Sequence, residues 1–208
     1  MPIDLRDILK PASTAVITVE CQRGVVGTGG ALSALAQAVR ETGILPRMAR
    51  VLDAARAAQT PVAHAIVVRR RDGGGSTMNC RLFAATRKSG GPGMIAGSEI
   101  AALVPELGPA ENDYIVARHH GVSIFHDSEL DSILRSLGVR TVVLMGVSLN
   151  IALIGSAIEA VNRGYQVVIP EDGVTGTPVA YGAAVLENTL RFLATVVRCD
   201  DVVNALAQ

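Results

Sequence analysis

Apolar residues fall along this chain in short unbroken runs, and between the runs they recur at helical spacing. The runs are Ala15–Glu20, Val62–Val68, Tyr114–Ala117, Thr141–Gly146, Gln166–Pro170 and a weaker one at Ala194–Val197. Val, Ile and Ala dominate them with little polar alternation, the pattern of strands covered on both faces in a parallel sheet. Leu45, Met48, Leu52 and Ala55 recur as one helical face before the second run. Leu130, Ile133, Leu134 and Leu137 form another, stopped by Gly138. Asp127 or Ser128 is placed to cap that helix, and Glu129 and Asp131 in its first turn suit the helix dipole. Ile151–Arg163, ended by Gly164, and Ala180–Leu193 read as further helices, with a terminal helix after the last run. Runs alternating with helices predict one three-layer α/β/α, Rossmann-like domain over residues 1–208, built on a mostly parallel six-stranded sheet.

Residues 72–97 break this rhythm with Gly, Ser and Arg. Long irregular connections in compact domains often carry function, and open α/β sheets bind ligands at the carboxyl ends of their strands. This segment is therefore expected to be an active-site loop. Its flanking and internal bases, Arg69, Arg70, Arg71, Arg81, Arg87 and Lys88, can meet an acidic ligand, although such clusters more often face solvent.

Composition adds bounds. Hydrophobic residues make up 49% of the chain and charged ones 18%, so apolar surface should be left over and a homo-oligomer, dimer or tetramer, is expected. Part of that excess is Ala and Val suited to helix–sheet contacts. A formal net charge of zero gives no reason to expect nucleic acid or an anionic membrane as partner. The charged start, MPIDLRDILKP, lacks the apolar core of a signal peptide, and no apolar run is long enough to span a membrane. Cys21, Cys80 and Cys199 are scattered without metal-binding spacing, which fits a reducing cytoplasm.

Three stretches, in order and at strand ends, carry a resemblance. They are Ala15-Val-Ile-Thr-Val-Glu-Cys-Gln-Arg-Gly24, Asp113-Tyr-Ile-Val-Ala-Arg-His-His-Gly-Val-Ser-Ile-Phe125 and Val143-Leu-Met-Gly-Val-Ser-Leu-Asn-Ile-Ala-Leu153. Together with Gly164–Asp172 they resemble the isochorismatase-like, or cysteine hydrolase, superfamily from about Thr14 to Thr195. The resemblance implies an Asp/Lys/Cys triad in which a carboxylate takes the thiol proton, a cation holds the thiolate, and backbone N–H groups receive the oxyanion. It also implies a cis peptide at Val147–Ser148. In this chain the three positions hold Glu20, Arg118 and Ala152. The carboxylate and the cation survive in changed form, and an Arg fork can match a carboxylate at two points. The nucleophile is gone, so thiol-dependent amide cleavage is not expected.

By the same resemblance, Gln22, His119, His120, Val147, Ser148 and Leu149 are expected to line the pocket. Ser148 has the competing role of helix cap. Cys21 next to Glu20 reads as a small buried hydrophobe, His64 inside the second strand as a core histidine, His126 as a capping or surface residue, and Asp172 as structural. No metal and no cofactor is expected. Two functions fit. One is a hydrolase needing no thiol, in which Glu20 protonates a vinyl ether and Arg118 holds the carboxylate of a small anionic substrate. A guanidinium beside Glu20 favours its ionised form and so opposes the acid role. The other is an inactive relative that binds a small ligand or serves as an oligomeric scaffold.

Overall fold

The computed structural model describes residues 4–27, 32–88 and 93–207, with the side chains of Arg87 and Lys88 outside that description. Six parallel strands form one sheet: β1 (Thr14–Val19), β2 (Val62–Val67), β3 (Tyr114–Arg118), β4 (Thr141–Gly146), β5 (Gln166–Pro170) and β6 (Thr195–Val197). Their order is β3-β2-β1-β4-β5-β6, and every pairing is parallel. The helices are α1 (Leu5–Ile8), α2 (Arg23–Val26), α3 (Ser33–Thr42), α4 (Ile44–Ala57), α5 (Arg81–Lys88), α6 (Leu130–Ser136), α7 (Ile154–Asn162), α8 (Val179–Asn188) and α9 (Cys199–Leu206).

The unbroken apolar runs are explained by two cores. Ala15, Ile17 and Val19 of β1 and Val142 and Leu144 of β4 face α6, α7 and α8. Val16, Val143 and Met145 face α3, α4 and α9 on the other side. Each central strand thus alternates between two apolar layers rather than between core and water. The strand order reverses between β1 and β4, the place where doubly wound sheets open a crevice at their carboxyl ends.

Several sequence expectations shift in detail. β1 stops at Val19, because Glu20 adopts a left-handed backbone at φ 54° and the chain leaves the sheet. That conformation costs a non-glycine residue about 1–2 kcal/mol. Residues 72–97 are not wholly irregular, since Arg81–Lys88 is helical; residues 89–92 of that segment lie outside the described ones. The helix expected from Ile151 begins instead as a π-helical turn at Leu149–Leu153 and becomes regular at Ile154. The helix expected over Ala180–Leu193 ends at Asn188 and is followed by a short tight turn at Leu190–Phe192. Glu129, not Asp127 or Ser128, holds the cap position of α6 and its side chain makes no capping bond, but Ser128 Oγ does accept the N–H of Leu130 at the helix start, at 3.4 Å.

Candidate active site

The residues that end β1 and β3 and follow β4 meet around one cavity of about 120 Å³. Glu20 comes from the left-handed turn after β1, Arg118 from the last position of β3, and Ser148, Ile151 and Ala152 from the turn after β4. Val67 at the end of β2, Leu35 of α3, Leu82 and Phe83 of α5, Met94 and Ile100 close much of the rest. Three of the positions selected from sequence, 20, 118 and 152, are therefore brought together although 132 residues separate the first from the last (152 − 20).

Glu20 and Arg118 form an ion pair through Oε1 and Nη2. The contact is single, not the two-point fork the residue types allow. The Arg118 side chain is 3% exposed and that of Glu20 15%. Arg118 Nε donates to the Gly121 carbonyl at 3.3 Å and Nη2 also to that of Val122 at 3.4 Å, while Nη1 is buried without a partner. Gly121 can offer that carbonyl because it turns left-handed at φ 76°, against the ring of His126, where a Cβ would clash. Arg118 is thus built into the wall, with its charge turned on Glu20.

The turn after β4 contains a cis peptide at Val147–Ser148. The Ser148 carbonyl accepts from the N–H groups of Ile151 and Leu153. The Ser148 hydroxyl makes no capping bond, contrary to the role the sequence favoured, and it faces the cavity wall. The Ser148 N–H has no hydrogen-bond partner among the described residues. Ala152 is 2% exposed and presents only a methyl group.

Other selected residues lie elsewhere. Gln22 is fully buried and fully engaged: Nε2 donates to the carbonyls of Val67 and Ala101, and Oε1 accepts from Val67 N–H. It fastens β2 to the segment after Ser98 and does not line the cavity. Val147 packs in the core against α4, and Leu149 in the opposite core, its N–H donating to Thr175. His119 is exposed. His120 points to the 70s loop and α6 approach, with Nδ1 3.1 Å from the Gly75 carbonyl and Nε2 3.1 Å from Asp127. Neither histidine lines the cavity, because the chain turns away immediately after Arg118. His126 is exposed and sets its ring edge-on to His120.

No thiol replaces the missing one. Burial, then the charge of Glu20, pushes the Cys21 thiol up to about 12, and its Sγ donates to the Val19 carbonyl at 3.4 Å. Cys199 is likewise pushed up to about 12, first by burial and then by Asp172, whose Oδ1 accepts the Cys199 N–H. Cys80 is exposed. Among the described residues, no three His, Cys, Asp or Glu side chains gather as metal ligands would.

A second polar chain runs inside the protein. Thr18 Oγ1 lies 2.7 Å from His64 Nδ1, and His64 Nε2 lies 3.1 Å from Asp113 Oδ2. Asp113 also pairs with Arg56 at 2.7 Å and accepts the Ala110 N–H. Burial, the largest influence, lowers the His64 pKa despite Asp113. Burial alone would raise the Asp113 carboxyl; the bonds from Arg56, Ala110 and His64 hold it below the ordinary carboxylate range.

Sequence reasoning did not single out Leu82, Phe83, Met94 and Ile100 as cavity walls. The apolar positions of Arg81–Lys88 carried a helical signal, hidden by the glycines around it. Arg69 was seen only as one base in a cluster.

Comparison with known proteins follows this geometry. A model described as the isochorismatase domain matches residues 14–201. The ureidoacrylate amidohydrolase RutB of Agrobacterium fabrum is 27% identical, covering 96% of this chain and 92% of that protein. The secreted isochorismatase effector Isc1 of Verticillium dahliae is 27% identical over 129 residues, and the match spans 58% of that protein. A cysteine hydrolase from Pseudomonas syringae pv. phaseolicola superposes with a TM-score of 0.82 at 24% identity, over 99% of this chain and 95% of the other. N-carbamoylsarcosine amidase from Thermoplasma acidophilum superposes at 0.70 with 23% identity, over 90% and 97%. These two likenesses are of fold, and the domain match assigns the lineage: the chain belongs to the isochorismatase family of hydrolases.

Proposed function

We propose that this chain hydrolyses a small anionic substrate of the vinyl ether type without a covalent intermediate, with Glu20 moving the proton. The observation that carries this reading is the pairing of a partly open Glu20 carboxyl with a methyl group, Ala152, on one cavity wall. Amide cleavage by the thiol route needs a nucleophile at that wall. A vinyl ether needs only a proton on its terminal carbon. Glu20 in its acid form donates that proton as the double-bond electrons form the new C–H bond. The ether oxygen then shares the resulting positive charge. Water adds to the oxocarbenium carbon and returns a proton to Glu20, and the hemiketal collapses to a ketone and an alcohol. Arg118 is a positioning residue that fixes Glu20. The free N–H and hydroxyl of Ser148 are suited to hold the water or the departing oxygen.

The smallest suitable probe is α-methoxyacrylate, which with water gives pyruvate and methanol. Wild type is expected to release pyruvate, and Glu20→Gln to do so on the order of a hundredfold more slowly. Equal rates in the two proteins remove Glu20 from the chemistry and leave a ligand-binding relative as the reading. We extend the proposal to a cytoplasmic homo-oligomer, supported by Phe192 at 84% and Tyr181 at 56% exposure. Sedimentation showing only a 21.6 kDa species would remove that part.

A further inference from the structure

We infer that Arg69 selects the substrate, by binding the single carboxylate of a small and otherwise apolar anion in the cavity beside Glu20. The inference rests on reading that cavity as the substrate site. Among the described residues three charged side chains line it: Glu20, Arg118 and Arg69. The first two neutralise one another. Arg69 Nη2 donates to Thr86 Oγ1 at 3.2 Å, and no carboxylate among the described residues pairs with its guanidinium. Asp72, three residues on in the chain, is engaged by Arg70, and Glu99 by Arg23. The lining therefore carries one positive charge more than it neutralises.

Arg69 is also held in place. Its N–H donates to the Met94 carbonyl at 2.7 Å, and its carbonyl accepts from Ala96 at 3.1 Å. This two-sided clamp fixes the backbone from which the side chain leaves, and the Thr86 bond steadies the guanidinium itself, which lowers the ordering cost of recognising a planar carboxylate. Most of the remaining wall is apolar, Leu35, Leu82, Phe83, Met94 and Ile100 among it, with the hydroxyl-bearing Ser148 and Thr86 as the polar exceptions. A ligand that satisfies it has one negative end and a greasy body. The cavity holds about 120 Å³. An engineered apolar cavity of about 150 Å³ takes benzene, so the body is at most about six non-hydrogen atoms. A second carboxylate would meet no unpaired cation among the described residues and would be buried at high cost.

The test uses calorimetric binding of benzoate and of α-methoxypropionate, the saturated and unreactive counterpart of the vinyl ether probe. Both are expected to bind wild type. Arg69→Gln and Arg69→Met should each weaken binding on the order of tenfold to a hundredfold, with Arg69→Lys recovering part of the loss. Benzamide, isosteric but neutral, should bind wild type and Arg69→Gln alike. Binding within twofold of wild type in Arg69→Gln and Arg69→Met, an equal loss for benzamide, or no binding of either acid to wild type overturns the inference. If pyruvate release fails while Arg69-dependent binding persists, the hydrolytic reading falls and this one stands. If release persists with an unchanged KM in Arg69→Gln, the reverse holds.

Discussion

Two polar constellations flank β1, and they make an instructive pair. Thr18, His64 and Asp113 line up as hydroxyl, imidazole and carboxylate, an order familiar from hydrolytic sites. Thr18 and His64 are both fully buried, and none of the three lines the cavity. Glu20 and Arg118 are a plainer pair, yet Glu20 keeps a fraction of its surface at the cavity. Connectivity among polar groups is thus a poor guide to chemistry. What separates a structural staple from a working group is access to a space where another molecule can sit. The staple joins β1, β2 and the approach to β3, and so fixes the strands from whose ends the site projects.

The sharpest way to break the comparison is to cut the staple. Asp113→Ala leaves the buried His64 without its carboxylate and Arg56 with only Asp53 as counter-ion, and is expected to cost about 3–5 kcal/mol in urea unfolding. The folded fraction should retain wild-type affinity for benzoate. Glu20→Gln also leaves the buried Arg118 without a counter-ion, at a cost of the same order, but it should in addition lower pyruvate release on the order of a hundredfold. Unchanged turnover in Glu20→Gln would overturn the roles assigned to the two clusters.

Titration sharpens the contrast further. The His64 pKa is lowered in the folded protein, so between its unfolded value near 6.5 and its lower folded value the unfolded chain binds the extra proton. Stability should therefore be unaffected by this group above that unfolded value, fall as pH drops below it, and level off below the folded pKa. The slope is at most about 1.4 kcal/mol per pH unit. His64→Gln should flatten that part of the urea-midpoint profile, and an unaltered profile would contradict the buried neutral histidine. The smallest effect concerns thiols. In wild type only Cys80 should react readily with a thiol reagent, since Cys21 and Cys199 are buried with raised pKa values. Ala152→Cys should add one reactive thiol, protected by benzoate. Absence of that protection would detach position 152 from the ligand space.

How much of this was legible in the sequence depended on range. The strands read clearly because Val16, Val143 and their neighbours are apolar on both faces, a signal carried by each segment alone. Glu20, Arg118 and Ala152 could be placed together because the stretches that hold them resemble the strand ends carrying the family's triad. His119 and His120 could not, because adjacency to Arg118 says nothing of the turn at Gly121 that carries them off. Gln22 had the right residue type for a binding group, yet its three hydrogen bonds are to backbone carbonyls and an N–H far away in sequence. His64 was readable as internal from its strand, but Asp113, its partner, emerged only with the register that sets His64 beside Ile115.

Gly146 ends β4 at φ 111°, and a Cβ there would lie 2.5 Å from the Val19 carbonyl oxygen and 2.9 Å from Cys21 Sγ. Any side chain at this position would wedge the last residues of the two central strands apart. The turn holding Ser148 and Ala152 would then swing outward from Glu20. The width of the cavity is therefore gauged by a hydrogen atom, and a designer wishing to admit a bulkier molecule has, at residue 146, a shim to insert.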